Sequence, residues 1–228
     1  MSPENFGNTS SPEELKKIYY PDFESLGNFE DTRPDWVKQL HGVLSDRDIA
    51  RMIFSGELKI TPPLDLEEAL DSCKLDFHLG DKFTRLDYTK LSHIDSKKGI
   101  PSEAEIREFI RPGEQIVLPP GELIIAVTRE HISWPNYLMG RLEGKSSIAR
   151  LSTLVEAAPV FDAGWNGVGA MELINVGRLP VIYYEGQYIC SFNFSFLTTP
   201  AIKSRDRDFG KIRGQTGPDS SQVHKEFQ

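Results

Sequence analysis

From Leu58 onward the chain is a succession of short apolar runs with a two-residue period, punctuated by glycine and proline. Lys74-Leu75-Asp76-Phe77-His78-Leu79 alternates polar and apolar side chains. That is the period of a strand, in which successive side chains point to opposite faces. Gln115-Ile116-Val117-Leu118, then Pro119-Pro120-Gly121, then Glu122-Leu123-Ile124-Ile125-Ala126-Val127 reads as strand, turn, strand. Short strands also fall at 171–174, 181–184 and 189–197. A helix precedes them: Ser45 is a good N-cap, Asp46 and Asp48 suit the first turn, and Gly56 ends it. Many short strands with few helices point to a mainly β fold, a sandwich, jelly roll or barrel.

The 228 residues suit one large domain with an extension, and no repeat of solenoid period is present. Residues 1–40 read as a polar, loop-rich N-terminal extension, 41–200 as the β domain, and 201–228 as a mobile C-terminal arm. The net charge of −8 argues against a nucleic-acid partner while leaving room for a local basic pocket. No apolar run approaches the ~20 residues that span a bilayer, so no membrane partner is expected. The first residues lack the apolar core of a signal peptide, and a cytoplasmic location follows as the expectation. Cys73 and Cys190 lie in apolar-patterned segments and are expected to be buried thiols rather than a disulfide.

Four segments could carry chemistry. Gly140-Arg141-Leu142-Glu143-Gly144-Lys145-Ser146 imitates a phosphate-binding P-loop but has three residues between its glycines instead of four, and it lies in a β context. Within it, Gly144-Lys145-Ser146-Ser147-Ile148-Ala149-Arg150 concentrates hydroxyls and cations that can hold an anion; it also reads as an ordinary helix start capped by Ser146 or Ser147. Glu172 is a lone carboxylate in Ala170-Met171-Glu172-Leu173-Ile174, on one strand face with Ala170 and Ile174. It is either a general base or acid, or an edge-strand side chain facing water. Asp162-Ala163-Gly164-Trp165-Asn166-Gly167 is a turn whose Asp162 remains free to bind a ligand, and Lys211 to Pro218 reads as a solvated tail. Zinc-dependent nucleobase deaminases carry His-x-Glu followed by Pro-Cys-x-x-Cys. His224-Lys225-Glu226 matches the first half, but no Cys-x-x-Cys occurs.

In order, these segments resemble the dCTP deaminase branch of the dUTPase-like superfamily, from about Leu44 to Ser220. Leu44 to Ile49 is similar to the family's opening helix, Leu75 to Phe83 to its first core strand, and Pro120-Gly121-Glu122 to its Pro-Gly-Glu turn. Gly144 to Leu151 resembles Gly-Arg-Ser-Ser-x-Ala-Arg-Leu, and Asp162 to Gly167 resembles Asp-Pro-Gly-Trp-x-Gly. Glu172 falls at the family's catalytic glutamate, and Lys211 with Gln215-Thr216-Gly217 matches Lys-Tyr-x-x-Gln-x-Gly. The resemblance implies a distorted jelly-roll or β-barrel subunit with a short N-terminal helix, assembled as a homotrimer with shared active sites. It implies zinc-independent hydrolysis of dCTP to dUTP and ammonia in the supply of dTTP precursors, with Mg2+ bound through the triphosphate. Further hydrolysis of dUTP, a dUTPase, and a non-catalytic nucleotide-binding regulator are the alternatives.

Roles follow by position. The resemblance makes Glu172 the group that activates water, Ser146 the one that positions water or base, and Arg150 the one that fixes Ser146 and stabilises charge. Lys145 and Ser147 hold phosphates, Asp162 takes the 3′-hydroxyl, and the backbone of Ala170 and Met171 reads the cytosine edge. Lys211 and Gln215 close over the triphosphate, so the arm 201–228 covers the nucleotide. The chain departs from the pattern at several positions. Lys145 stands for arginine, Leu151-Ser152 for Leu-Gly in a loop one residue shorter, and Ile212 for tyrosine. Ser191 sits where dUTPases carry glutamine, and its shortness predicts that dUTP is released rather than cleaved.

Overall fold

A computed structural model describes residues 33–38, 40, 42–155, 158–201 and 215–227. Expectations for the rest of the N-terminal extension and for Lys211 therefore lie outside the described residues. The chain enters through α1 (Asp35–Lys38), whose Val37 is fully buried and whose Trp36 packs edge-on against Phe196. The last residues of the extension are thus part of the core. Next come β1 (Gly42–Val43) and α2 (Asp46–Phe54). The Ser45 hydroxyl accepts from the Asp48 amide, Ile49 and Met52 face inward, and Gly56 turns the chain out at φ +75°, as the sequence predicts.

Then follow β2 (Lys59–Thr61), α3 (Leu66–Ala69), β3 (Leu70–Asp71) and the long β4 (Lys74–Leu86). After β5 (Glu105–Phe109), β6 (Gln115–Leu118), β7 (Leu123–Ser133) and β8 (Leu138–Gly144) comes the single turn α4 (Ser146–Ala149). The chain continues through β9 (Thr153–Val155), β10 (Val160–Phe161), β11 (Asn166–Asn175), β12 (Val181–Tyr184) and β13 (Tyr188–Phe196). Among the described residues eleven strands form one curled sheet along the path β10–β8–β13–β4–β7–β11–β9, with β1, β2, β3 and β5 added at its margins. The pairs are antiparallel throughout. β4 produces the curl: its first half pairs with β13 and its second half with β7 and β5. The two halves of the sheet enclose a core rich in aromatics, including Phe77, Trp134, Phe161, Trp165, Phe192 and Phe194.

β6 and β7 are strands on either side of the turn, as the sequence reads, and β6 pairs with β12 in a separate ribbon. Two expectations change. Neither Ser146 nor Ser147 caps α4; Lys145 holds that position without a side-chain bond. Neither cysteine is in a disulfide, but only Cys190 is buried. Cys73 is exposed because it occupies the tight turn between β3 and β4, where Asp71 pairs with Lys74 and no core lies beneath. The P-loop imitation resolves as β8, antiparallel between β13 and β10, which no phosphate loop of that type could be.

Candidate active site

β11 carries the central carboxylate. Its burial alternates residue by residue, with Met171 and Leu173 in the core and Ala170, Glu172 and Ile174 half-buried on the other face. β11 is flanked by β7 along most of its length and by β9 at 173–175, beginning one residue past Glu172. The register slips immediately before it: Val168 pairs with His131, but Ala170 pairs with Val127. Gly169 sits in that slip, donates its N–H to the Thr128 hydroxyl at 2.9 Å, and packs so closely that a Cβ there would lie 3.0 Å from the Thr128 methyl and 3.2 Å from the Phe192 ring. Irregularities of this kind re-aim a strand next to a site. The far end of β11 is held by the buried Asn175, whose amide nitrogen donates to the Leu118 and Leu179 carbonyls, both at 2.8 Å. Its carbonyl accepts from Gly121 in the Pro-Gly-Glu turn at 2.7 Å. Glu122 of that turn is anchored by Arg85 at 2.7 Å, and Arg85 also pairs with Glu108.

Glu172 and Ala170 open into a pocket of about 420 Å3 with apolar walls from Ile125, Phe161 and Trp165. Phe161 meets Trp165 edge-on at 4.7 Å, and Trp134 donates to the Asp162 carbonyl at 3.1 Å, which stiffens the turn that carries both walls. The Asp162 side chain is exposed beside this turn. The remaining wall is the C-terminal segment, with Gln215, Asp219, Ser220, Ser221 and Gln222. Gln215 is buried, and its carbonyl accepts from Val168 at 2.8 Å. Of the expected site residues, Glu172, Ala170 and Gln215 therefore meet in one pocket, while the Met171 side chain lies in the core.

The Lys145–Arg150 segment points elsewhere. Ser146, Ser147 and Arg150 are exposed while Ile148 anchors the turn in the core. Arg150 lines a second, more open hollow of about 630 Å3 with Leu151, Leu179 and Ile182, apolar side chains left largely exposed. Lys145 is ion-paired with Asp76, whose other oxygen accepts from the Ser191 hydroxyl at 2.6 Å, and its amine stands 5.3 Å from the Tyr188 ring centre. Partial burial pulls the Lys145 amine below the ordinary lysine range, and Lys74 adds to this while Asp71 opposes it. Ser191 is buried and engaged with Asp76, so it does not face the Glu172 pocket.

Sequence reasoning missed Asp76 and the 219–222 wall. The signal for Asp76 was present: the alternation that put Leu75 and Phe77 inward placed Asp76 and His78 on one polar face. That face also carries the buried Glu130, which accepts from the His78 amide at 3.1 Å and meets its ring nitrogen at 2.7 Å. Among the described residues no group of His, Cys, Asp and Glu side chains could hold a metal ion, and no helix is long and apolar enough to cross a membrane.

Comparison with known proteins gives this architecture a class. The fold is similar to that of the 2′-deoxycytidine 5′-triphosphate deaminase crystal structure from Agrobacterium tumefaciens, with TM-score 0.53 and 21% identity. The match covers 68% of this chain and 49% of that longer one. A family model described as dCTP deaminase-like matches residues 43–197, and the chain belongs to that family. A dCTP deaminase from Thermomicrobium roseum is 41% identical over 188 residues, covering 81% of this chain and 95% of the relative. A protein named dCTP deaminase, dUMP-forming, from Methanothermobacter thermautotrophicus is 33% identical over 192 residues, covering 82% and 96%.

Proposed function

We propose that the chain is a dCTP deaminase: it hydrolyses the 4-amino group of dCTP, consuming one water and yielding dUTP and ammonia. The observation that carries this reading is the meeting of Glu172, Ala170 and Gln215 in one apolar-walled pocket of nucleoside size, in a chain of this family. Water is a poor nucleophile near neutral pH. A carboxylate held among apolar walls, where it is poorly hydrated, removes the water's proton as the oxygen attacks C4. The same carboxyl group then delivers that proton to the amine, and the C–N bond breaks. Zinc has no part in the step. Mg2+ arrives on the triphosphate as the substrate's own counter-ion.

The roles are then these. The backbone of Ala170 and Met171 reads the cytosine edge, and Asp162 takes the 3′-hydroxyl. Lys145 and Ser147 hold phosphates, Lys145 as a point charge rather than the fork an arginine would give. Lys211 and Gln215 close the site. Ser146 and Arg150 lie outside the Glu172 pocket of their own copy, Arg150 on a different hollow, and reach the reacting base from a neighbouring copy in a homotrimer. The exposed Leu151, Leu154, Val176 and Leu179 around Arg150 are the surface that copy covers. The enzyme acts in the cytosol on free nucleotide.

A second reading, in which dUTP is cleaved onward to dUMP and pyrophosphate, is favoured by the relatives named dUMP-forming. One experiment separates the readings: zinc-stripped protein is given dCTP with excess Mg2+, and its products are quantified. Ammonia and dUTP in equal amounts are expected. Pyrophosphate and dUMP appearing with the ammonia would establish the second reading, and neither set of products would refute both.

A further inference from the structure

The Glu172 pocket contains a buried hydroxyl that no described residue of the chain bonds. Ser220 lines the pocket, is 8% exposed, and its Oγ has no hydrogen-bond partner. Its carbonyl, by contrast, is engaged, accepting from the Gln222 side chain at 3.2 Å. A buried hydroxyl without a partner is costly, and such a group persists where a ligand completes it.

Its position is set from both sides. Upstream, the Gln215 carbonyl accepts from Val168 at 2.8 Å, and the Lys82 amine donates to the Thr216 carbonyl at 3.2 Å. Downstream, the His224 ring packs against Gly99, and the Phe227 ring lies 5.6 Å from the Lys97 amine. These contacts tie down the segment that carries Ser220 on both sides, at 215–216 and at 224–227.

The pocket's composition says which part of a nucleotide meets it. Its described lining sets two carboxylates, Glu172 and Asp219, beside the apolar faces of Phe161 and Trp165, which suits an uncharged group better than a phosphate. What fits is the uncharged part, a base or sugar that offers hydrogen bonds from its edge and stacks its face on Phe161 and Trp165.

We infer that Ser220 is a ligand-contacting residue whose hydroxyl hydrogen-bonds the nucleoside portion of the substrate beside Glu172. This rests on the reading of the pocket as the dCTP site. The test compares the full-length parent with Ser220→Ala in two measurements: kcat/KM for dCTP with Mg2+, and the thermal unfolding midpoint without ligand. Loss of one neutral hydrogen bond lowers kcat/KM roughly two- to tenfold. The midpoint stays level or rises, since the variant discards an unpaired buried hydroxyl. An active parent with an unchanged Ser220→Ala overturns the inference alone, and so does a fall in kcat/KM accompanied by a lowered midpoint, which marks a structural role. A parent that leaves dCTP intact overturns the underlying reading, and the inference with it.

Discussion

Ser152 holds φ at 62°, the left-handed region in which an L side chain crowds its own backbone. Two hydrogen bonds keep it there: its N–H donates to Ala149 and its carbonyl accepts from Val176, each at 2.9 Å. The residue follows Arg150 and Leu151 directly, so the strain sits where the chain leaves the segment assigned to catalysis. Sequence marked this position as a departure, a serine in place of glycine, and the backbone explains why glycine suits it. Ser152→Gly is expected to raise unfolding stability by about 1 kcal/mol, the strain relieved less the added freedom of the unfolded chain. Urea titration at unchanged m-value measures this. A loss of stability would show that the Ser152 side chain holds the turn. The same scale explains Lys145. Read along the chain it is a free cation for phosphate, but folded it is already paired with Asp76, a partner far away in sequence.

β11 and the C-terminal segment together form the pocket, and their contact is close. A Cβ on Gly167 would lie 2.7 Å from the Gln215 carbonyl oxygen and 2.9 Å from its nitrogen, both backbone atoms that cannot swing aside. Gly167→Ala is therefore expected to push the segment off β11 and to break the Val168–Gln215 bond. The KM for dCTP should rise roughly tenfold, with faster amide exchange at 215–222. A parent-like KM would mean that closure does not depend on this contact. Most elements were legible because one period governs each: two for β4, β11 and β13, and a capped helical turn for α2. The pairing of β6 with β12 was not legible. A Pro-Pro-Gly turn fixes that the chain reverses but not which sheet receives it, and the partner strand lies far along the chain. The 219–222 wall was unreadable for a related reason. Its composition is that of a solvated tail, and only the contacts with β11 and the 95–99 turn make it a surface of the site.

For the whole molecule, the order of the motifs identified the family, but not which residues share a pocket within one copy. Glu172 and Arg150 open onto separate hollows, and the second is bordered by large exposed apolar side chains. The proposed homotrimer would reconcile the two, bringing Arg150 of one copy to Glu172 of the next and covering the apolar rim. The central claim is that Glu172 deaminates dCTP in a centre completed by a second copy, and subunit mixing tests it most directly. Glu172→Gln and Arg150→Ala are each expected to lower ammonia release from dCTP at least ~10²-fold. Refolded together in equal amounts, the two variants should recover about a quarter of the parental rate, because half the copies bring an intact Glu172 and half an intact Arg150. A mixture as inactive as its components would contradict the shared centre, and a Glu172→Gln protein that still released ammonia at the parental rate would contradict the account altogether.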